Sequence, residues 1–208
     1  KSDPGSPLVS GKVVFEEKNG LCAVETEHFY KQTHCNVRNW YRITGGNTPS
    51  VTPDPDKPHL SDASGGSYIE ILPDTRVTSK DKLISGENFS NEPGKIGVLH
   101  YRVKINNPGR YFVWVRSYSE GAEDNGLHTG FGGTWPDHGQ RMQWCEGKNK
   151  WTWASKQRTE ANHCGEPYLI YLDIEKPGRQ IIQFSMREDG FRMDRILLTT
   201  DKLFIPDL

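Results

Sequence analysis

Long hydrophobic runs are missing from this 208-residue chain. No stretch approaches the roughly 18 apolar residues that a bilayer-spanning helix needs, so no membrane partner is expected. A dominant charge is missing too. Lys and Arg number 26 against 27 Asp and Glu, and without a positive surplus there is no bulk attraction to nucleic acid or anionic lipid. The four cysteines, Cys22, Cys35, Cys145 and Cys164, include no Cys-x-x-Cys pair and no Cys/His spacing that fits structural zinc. Catalytic signatures are equally absent: no His-Glu-x-x-His, no Gly-x-Ser-x-Gly, no Walker loop, and Gly130-Phe131-Gly132-Gly133 is too short for a dinucleotide fingerprint. The loop acids Glu120, Glu123, Asp124, Asp137 and Asp189 leave glycoside hydrolysis by paired carboxyls open, but no pair stands out, and an enzyme is not the expectation.

Aromatic residues are plentiful, at 11% with 6 Trp, 8 Tyr and 8 Phe, which excludes a disordered chain. The 21 Gly and 13 Pro point to short strands and many turns rather than helices. Val98–Ile105 alternates, with Leu99, Tyr101, Val103 and Ile105 on one face. The turn Asn106-Asn107-Pro108-Gly109 then feeds Tyr111–Arg116, which reads as a hairpin. Tyr168–Ile174, Lys176-Pro177-Gly178 and Gln180–Met186 repeat that grammar, and Glu188-Asp189-Gly190 leads into a last strand, Phe191–Thr200. Earlier strands are expected at Leu21–Glu27 and Tyr68–Leu72, and the one helical turn at Gln157–Asn162. Many short strands without a βαβ rhythm predict an all-β fold, an antiparallel sandwich. Two long turn-rich stretches, Thr44–Gly66 and Glu120–Gly139, are where function would be lodged.

The first residues, Lys1-Ser2-Asp3-Pro4-Gly5-Ser6-Pro7, read as a linker end, so 1–10 are assigned to a linker and 11–208 to one domain. Local pairings Cys22–Cys35 and Cys145–Cys164 would staple polar loops and favour an oxidising compartment, with four reduced thiols as the alternative. Charge is uneven in the loops. Glu120–His138 carries no Lys or Arg, whereas Gln140–Arg158 sets Arg141, Lys148, Lys150, Lys156 and Arg158 against Glu146 alone. Either the two stretches neutralise one another in solvent, or the basic one contacts an acidic ligand.

Two constellations carry chemistry. On a strand, Glu25 and Glu27 share a face with side chains ~7 Å apart, and calcium, which takes oxygens at about 2.3–2.6 Å, could draw both together. Asp194, a charge inside the apolar run Met193–Leu198, is the natural third ligand if first and last strands meet. Alternatively the glutamates face solvent and Asp194 pairs with Arg192 or Arg195. The second constellation is Gly132–His138 with Trp135, followed by Trp144, Trp151 and Trp153. An indole can stack on the C–H face of a pyranose while Asn125, His128, Gln140 and Arg141 fork around its hydroxyls. Trp151 and Trp153 share a face at strand spacing, so one or both could instead seal the sandwich, and Trp114 is expected in the core.

Leu21-Cys22-Ala23-Val24-Glu25-Thr26-Glu27-His28-Phe29-Tyr30 resembles the opening strand of family 6 and family 35-like carbohydrate-binding modules, the galactose-binding-like and malectin-like group attached to marine bacterial polysaccharide-degrading enzymes. Gly190–Thr200 resembles their closing strand, and Ala63–Tyr68 and Pro108–Arg116 fit the pattern between. The resemblance implies a jelly-roll, galactose-binding-domain-like sandwich with a structural Ca2+ on Glu25, Glu27 and Asp194, and a sugar site in loops at one end. The loop before the last strand, Arg187-Glu188-Asp189-Gly190, is charged where the family carries a neutral ligand such as Asn, so Arg187 and Asp189 join the candidates. Stacking rings would be Trp151 or Trp153, with Trp40 in the loop after the first strand.

The expectation is therefore a non-catalytic, monomeric carbohydrate-binding module of a secreted bacterial enzyme. It would anchor a catalytic domain of the same parent protein on polysaccharide, with an acidic or sulfated polymer as the ligand class. Two alternatives stand beside it: a small hydrolase or lyase using loop carboxylates with His128 or His138, and a packing domain of a larger glycoside hydrolase.

Overall fold

The computed structural model describes Lys12 and residues 14–207; the expected linker, residues 1–10, lies outside them. Fifteen strands among the described residues form two sheets. The first is ordered β1 (Phe15–Glu16), β6 (Val98–Ile105), β14 (Gly178–Met186), β8 (Gly126–Phe131), β9 (Met142–Gln143), β11 (Lys156–Gln157) and β12 (Glu166–Pro167), with β3 (Lys31–Thr33) also on β6. The second runs β10 (Trp151–Ala154), β7 (Gly109–Tyr118), β15 (Arg192–Thr199), β5 (Ser67–Leu72) and β4 (Asn39–Thr44); β13 (Tyr171–Ile174) flanks β7 and β2 (Leu21–Glu25) flanks β15. Apart from the parallel β1–β6 pair, the strands pair antiparallel. The fold is an all-β sandwich.

The alternation read in the sequence decides which side chains meet between the sheets. Leu99, Tyr101, Val103 and Ile105 of β6 and Ile182, Phe184 and Met186 of β14 face Val113 and Val115 of β7 and Ile196 and Leu198 of β15 in one core. Each such side chain contributes roughly 1.5–3 kcal/mol through burial. Polar atoms drawn into this layer are satisfied: Tyr101 Oη donates to Thr26 O (2.6 Å) and Trp40 Nε1 to Gly97 O (2.7 Å). Glu17, fully buried, accepts from the Gly20, Asn106 and Asn107 amides and from Asn107 Nδ2, at 2.5–3.0 Å, and so ties the first strand to the β6–β7 turn.

Alternation does not say which strand is the partner. β6 pairs with β14, whereas β7 pairs with β15, so Asn106–Pro108 carries the chain across to the opposite sheet. The expected hairpin is an arch. The same correction applies at β13–β14 and β14–β15, whose strands also lie in different sheets. Three further expectations give way. The opening strand stops at Glu25 and a 3-10 turn, Thr26–His28, follows. Gln157–Asn162 forms no helical turn; β11 occupies its start. The acidic stretch 120–139 holds β8, whose Gly130 leaves room for the Trp135 ring at a spot where a Cβ would stand 2.6 Å from it. Cys145 and Cys164 form a disulfide with Cα atoms 5.2 Å apart, but Cys22 and Cys35 are free. Cys22 is packed in the core and turns its thiol to Phe15 O at 3.9 Å, instead of meeting Cys35.

Candidate functional site

The outer face of the second sheet leaves several aromatic rings partly open. Trp114 lies there, correcting its expected core position: it alternates with the buried Val113 and Val115 and so must point the other way. Trp153, opposite Arg116 in the β10–β7 register, stands beside it half-buried. Tyr168, 42% exposed, closes the far side with a left-handed backbone (φ 67°), a conformation that is costly for a non-glycine residue and is held only by its surroundings. Its ring meets Phe112 edge-on at 6.4 Å and carries Lys202 Nζ 4.7 Å above its centre.

Together Phe112, Trp114, Tyr168, Lys156, Lys202 and Phe204 line a groove of about 240 Å³. A smaller hollow of about 50 Å³ adjoins it past Trp114, walled by Trp153 and the Cys145–Cys164 disulfide. Residues 202–205 form the groove's outer lip, and Asp207 O takes a hydrogen bond from Trp153 Nε1 (3.0 Å), which fixes the indole plane. Chemically the groove offers apolar ring faces flanked by two ammonium groups, Lys202 over the Tyr168 ring and Lys156, which pairs with the exposed Glu146 at 3.3 Å. That combination suits a ligand with C–H faces and anionic substituents.

The expected site residues are dispersed. Trp40 is fully buried against Phe191, which corrects its assignment to a ligand. Trp151 is likewise sealed: the loop at 45–66 folds over it, its ring packs on Tyr68 and Tyr118, and Nε1 donates to His59 O (3.1 Å). Trp135 is half-buried and lies against Gly94 and Gly130. Asn125 is buried, bonded to Trp144 O (2.9 Å) and Gln143 Nε2 (2.6 Å). His128 is fully buried, and burial pushes its imidazole down to about 4, so it is neutral; Nε2 faces Ser90 O (2.9 Å) and Nδ1 accepts from the Arg141 amide (3.1 Å). His138 stacks on Tyr171 at 4.1 Å. Asp189 is fully buried and holds Arg38 (2.9 Å) and the Thr75 amide (2.8 Å). Arg187 and Arg141 lie at the loop end of the first sheet, half-buried in the case of Arg141 and buried for Arg187.

Sequence reasoning missed the ionic knot at the loop end of the second sheet. Arg192, fully buried, is ringed by Asp56, Glu70 (3.1 Å), Glu120 (3.6 Å) and Asp124 (3.7 Å). Burial, and then the neighbouring acids Asp54, Asp74 and Asp124, push the Glu70 carboxyl far above the ordinary range. Asp74 is pushed up to about 8 by burial and then by Asp189, Asp124 and Asp54. Single charges at distant positions gave no local pattern to find.

Glu25, Glu27 and Asp194 all meet the Ser64–Ser67 turn. Ser64 Oγ donates to Glu25 Oε1 (2.9 Å), Ser67 Oγ to Glu27 Oε1 (2.7 Å), and the Ser64 amide to Asp194 Oδ1 (3.0 Å). Asp194 Oδ2 is taken by Arg116 (2.5 Å) rather than by Arg192 or Arg195. Glu25 Oε2 and Glu27 Oε2 are buried without a partner, the kind of hard oxygen donor calcium takes. Among the described residues no three His, Cys, Asp or Glu side chains are gathered closely enough to hold a metal as they stand. The fit to calcium therefore rests on the two glutamates.

No known family profile matches the chain. It is 58% identical over 200 residues to the uncharacterized protein P23 of Formosa agariphila, a match that covers 96% of this chain and 48% of P23. The chain thus spans about half the length of that curated relative. Among solved structures it is similar to a β-(1,4)-mannanase with a CBM35 from Podospora anserina (TM-score 0.49, 11% identity, 92% of this chain and 29% of that one). It is also similar to the C-terminal CBM6 of the marine laminarinase LamC from Zobellia galactanivorans (TM-score 0.43, 15% identity, 86% and 99%). Likenesses of this size say nothing of ligand or activity.

Proposed function

We propose that this chain is a non-catalytic carbohydrate-binding domain that holds a secreted bacterial polysaccharide-degrading enzyme on its substrate. The observation that carries the reading is the open groove with Trp114, Trp153 and Tyr168 beside Lys156 and Lys202. Rings of this kind stack on pyranose faces, and the two ammonium groups favour an acidic or sulfated polymer over a neutral one. Attachment raises the effective concentration of a linked catalytic domain at the polymer surface. An open groove gives modest affinity, on the order of µM to mM, because little area is buried and hydroxyl desolvation offsets much of the gain. The Cys145–Cys164 disulfide supports an oxidising, extracellular setting. Structural calcium at Glu25 and Glu27 belongs to the same proposal, supported by their orphaned buried oxygens.

The test is retention of the purified chain on gelled and insoluble polysaccharides, neutral and sulfated, with reducing sugar assayed in the same tubes. Retention without sugar release, weakened in Trp153→Ala and Trp114→Ala, is expected. A catalytic reading has one observation in its favour: His59 Nε2 sits 2.8 Å from Glu120 Oε1, stacked on Tyr118 at 3.7 Å, at the edge of the Arg192 knot. Sugar release abolished by Glu120→Gln would favour that reading and overturn the first.

A further inference from the structure

At the loop end of the first sheet Arg76, Arg141 and Arg158 lie close enough to Arg187 to act on its charge, and the groove uses none of the four. Arg187 follows β14, Arg141 precedes β9, Arg158 follows β11, and Arg76 comes from the long connection after β5. Arg187 is only 6% exposed, and among the described residues its one ion pair is with Glu188, whose Oε1 stands 3.8 Å from Nη1. Arg187 Nη1, Arg141 Nε and Arg76 Nε are buried donors that find no hydrogen-bond acceptor among the described residues. Burial lowers the Arg187 guanidinium, Glu188 opposes that, and Arg141, Arg158 and Arg76 lower it further, so these charges feel one another directly. Arg141 is lowered in the same way by burial and by Arg158.

The surroundings do not neutralise them. Glu188 gives its other oxygen to the Asn125 amide (2.9 Å), and Glu160, the second acid facing Arg141, is exposed. Arg158 Nη2 donates to His163 Nδ1 (3.0 Å), a neutral acceptor in that role. The site is also built. Arg141 is held in the left-handed region (φ 57°), and Gly126 makes room for Arg187, whose Cγ would stand 2.8 Å from a Cβ there. Like charges brought together and stripped of water, with donors left unpaired, are costly unless an anion completes them.

We propose that Arg76, Arg141, Arg158 and Arg187 form a binding pocket for a single oxyanion, the sulfate ester or carboxylate of an anionic glycan, gripped by guanidinium forks. The pocket uses none of the aromatic groove's residues and stands or falls without it. The experiment is calorimetric titration and thermal melting of the whole chain with sodium sulfate, phosphate or acetate against chloride at matched ionic strength.

Saturable binding and a raised melting temperature with at least one oxyanion are expected, weakened about tenfold or more in Arg158→Gln and in Arg141→Lys, which keeps the charge but loses the fork. Lys95→Gln, which removes one exposed charge elsewhere, leaves binding unchanged. Preference for sulfate or phosphate assigns the pocket to a sulfate ester, and preference for acetate assigns it to a uronate. Equal response to chloride and every oxyanion, or unaltered binding in both arginine variants while circular dichroism stays native, overturns the proposal.

Discussion

Replacing Glu17 by glutamine tests whether one buried carboxylate clamps the edge of the sandwich. Burial alone would raise this carboxyl, but hydrogen bonds from Asn107, Gly20 and Asn106 outweigh it and hold the group at about 2, against an ordinary 4.5. A carboxyl lowered in the folded state adds stability that is complete above its unfolded value and is lost as pH falls through the folded one. At about 1.36 kcal/mol per pH unit, that difference amounts to about 3 kcal/mol at neutral pH. Geometry gives the same scale. Oε1 faces the Gly20 amide and Asn107 Nδ2, and Oε2 faces the Asn106 and Asn107 amides. Whichever way the glutamine turns, its NH2 opposes two donors, and a buried donor left unpaired costs roughly 1–3 kcal/mol. Urea titration at pH 7 should place Glu17→Gln about 3 kcal/mol below wild type, and the gap should narrow between pH 5 and pH 2. A loss under about 1 kcal/mol, or a gap that does not change with pH, would refute the clamp.

Trp153→Ala and Trp114→Ala should each weaken retention on polysaccharide about ten- to thirtyfold, the equivalent of ~60–80 Å² of ring face at about 25 cal/mol/Å²; affinity gels read this, and native melting separates it from unfolding. The carboxyls of Asp74, at about 8, and Glu188, raised by burial to about 7, sit above their ordinary values. Their contribution is full below the ordinary value near 4 and is lost progressively until pH reaches 7 to 8, so the melting temperature should fall from pH 5 to pH 8, less steeply in Asp74→Asn. Cys145→Ser with Cys164→Ser, which opens a 19-residue separation, should cost about 3 kcal/mol in urea titration. Gly126→Ala forces Arg187 to shift and should both lower stability by about 1–3 kcal/mol and weaken the response to sulfate.

The strands were legible because alternation is a local property. Leu99, Tyr101, Val103 and Ile105 had to share a face wherever β6 found its partner. The partner itself was not legible, since Asn106–Pro108 can close a hairpin or bridge two layers, and which one occurs depends on the burial of β7 against β14 and β6. Trp114 was readable after all: its neighbours Val113 and Val115 are inward, so strict alternation puts the indole outside. Trp151 and Trp153 share a face and could not be told apart until the loop at 45–66 covered the first and left the second open. Arg141 and Arg187 were singled out by charge, but Arg76 and Arg158 reach them only through loop packing. Glu25 and Glu27 were expected on one strand face; they reach the same serine turn by a different route, because the strand ends between them.

The strand order also constrains how this chain can be made. β15, near the end of the chain, lies between β7 and both β5 and β2. As the polypeptide emerges from a ribosome, β5 can pair with β4 and β7 with β10 and β13, but β2 and the other edges of β5 and β7 lack their partner until β15 is out. The free edge of β7 must wait for β15 to be synthesised. Pairing of such sequence-distant strands is slow, so the nascent protein passes through a long interval in which unpaired edges can meet a neighbour's, and a holding factor or rapid export would protect it.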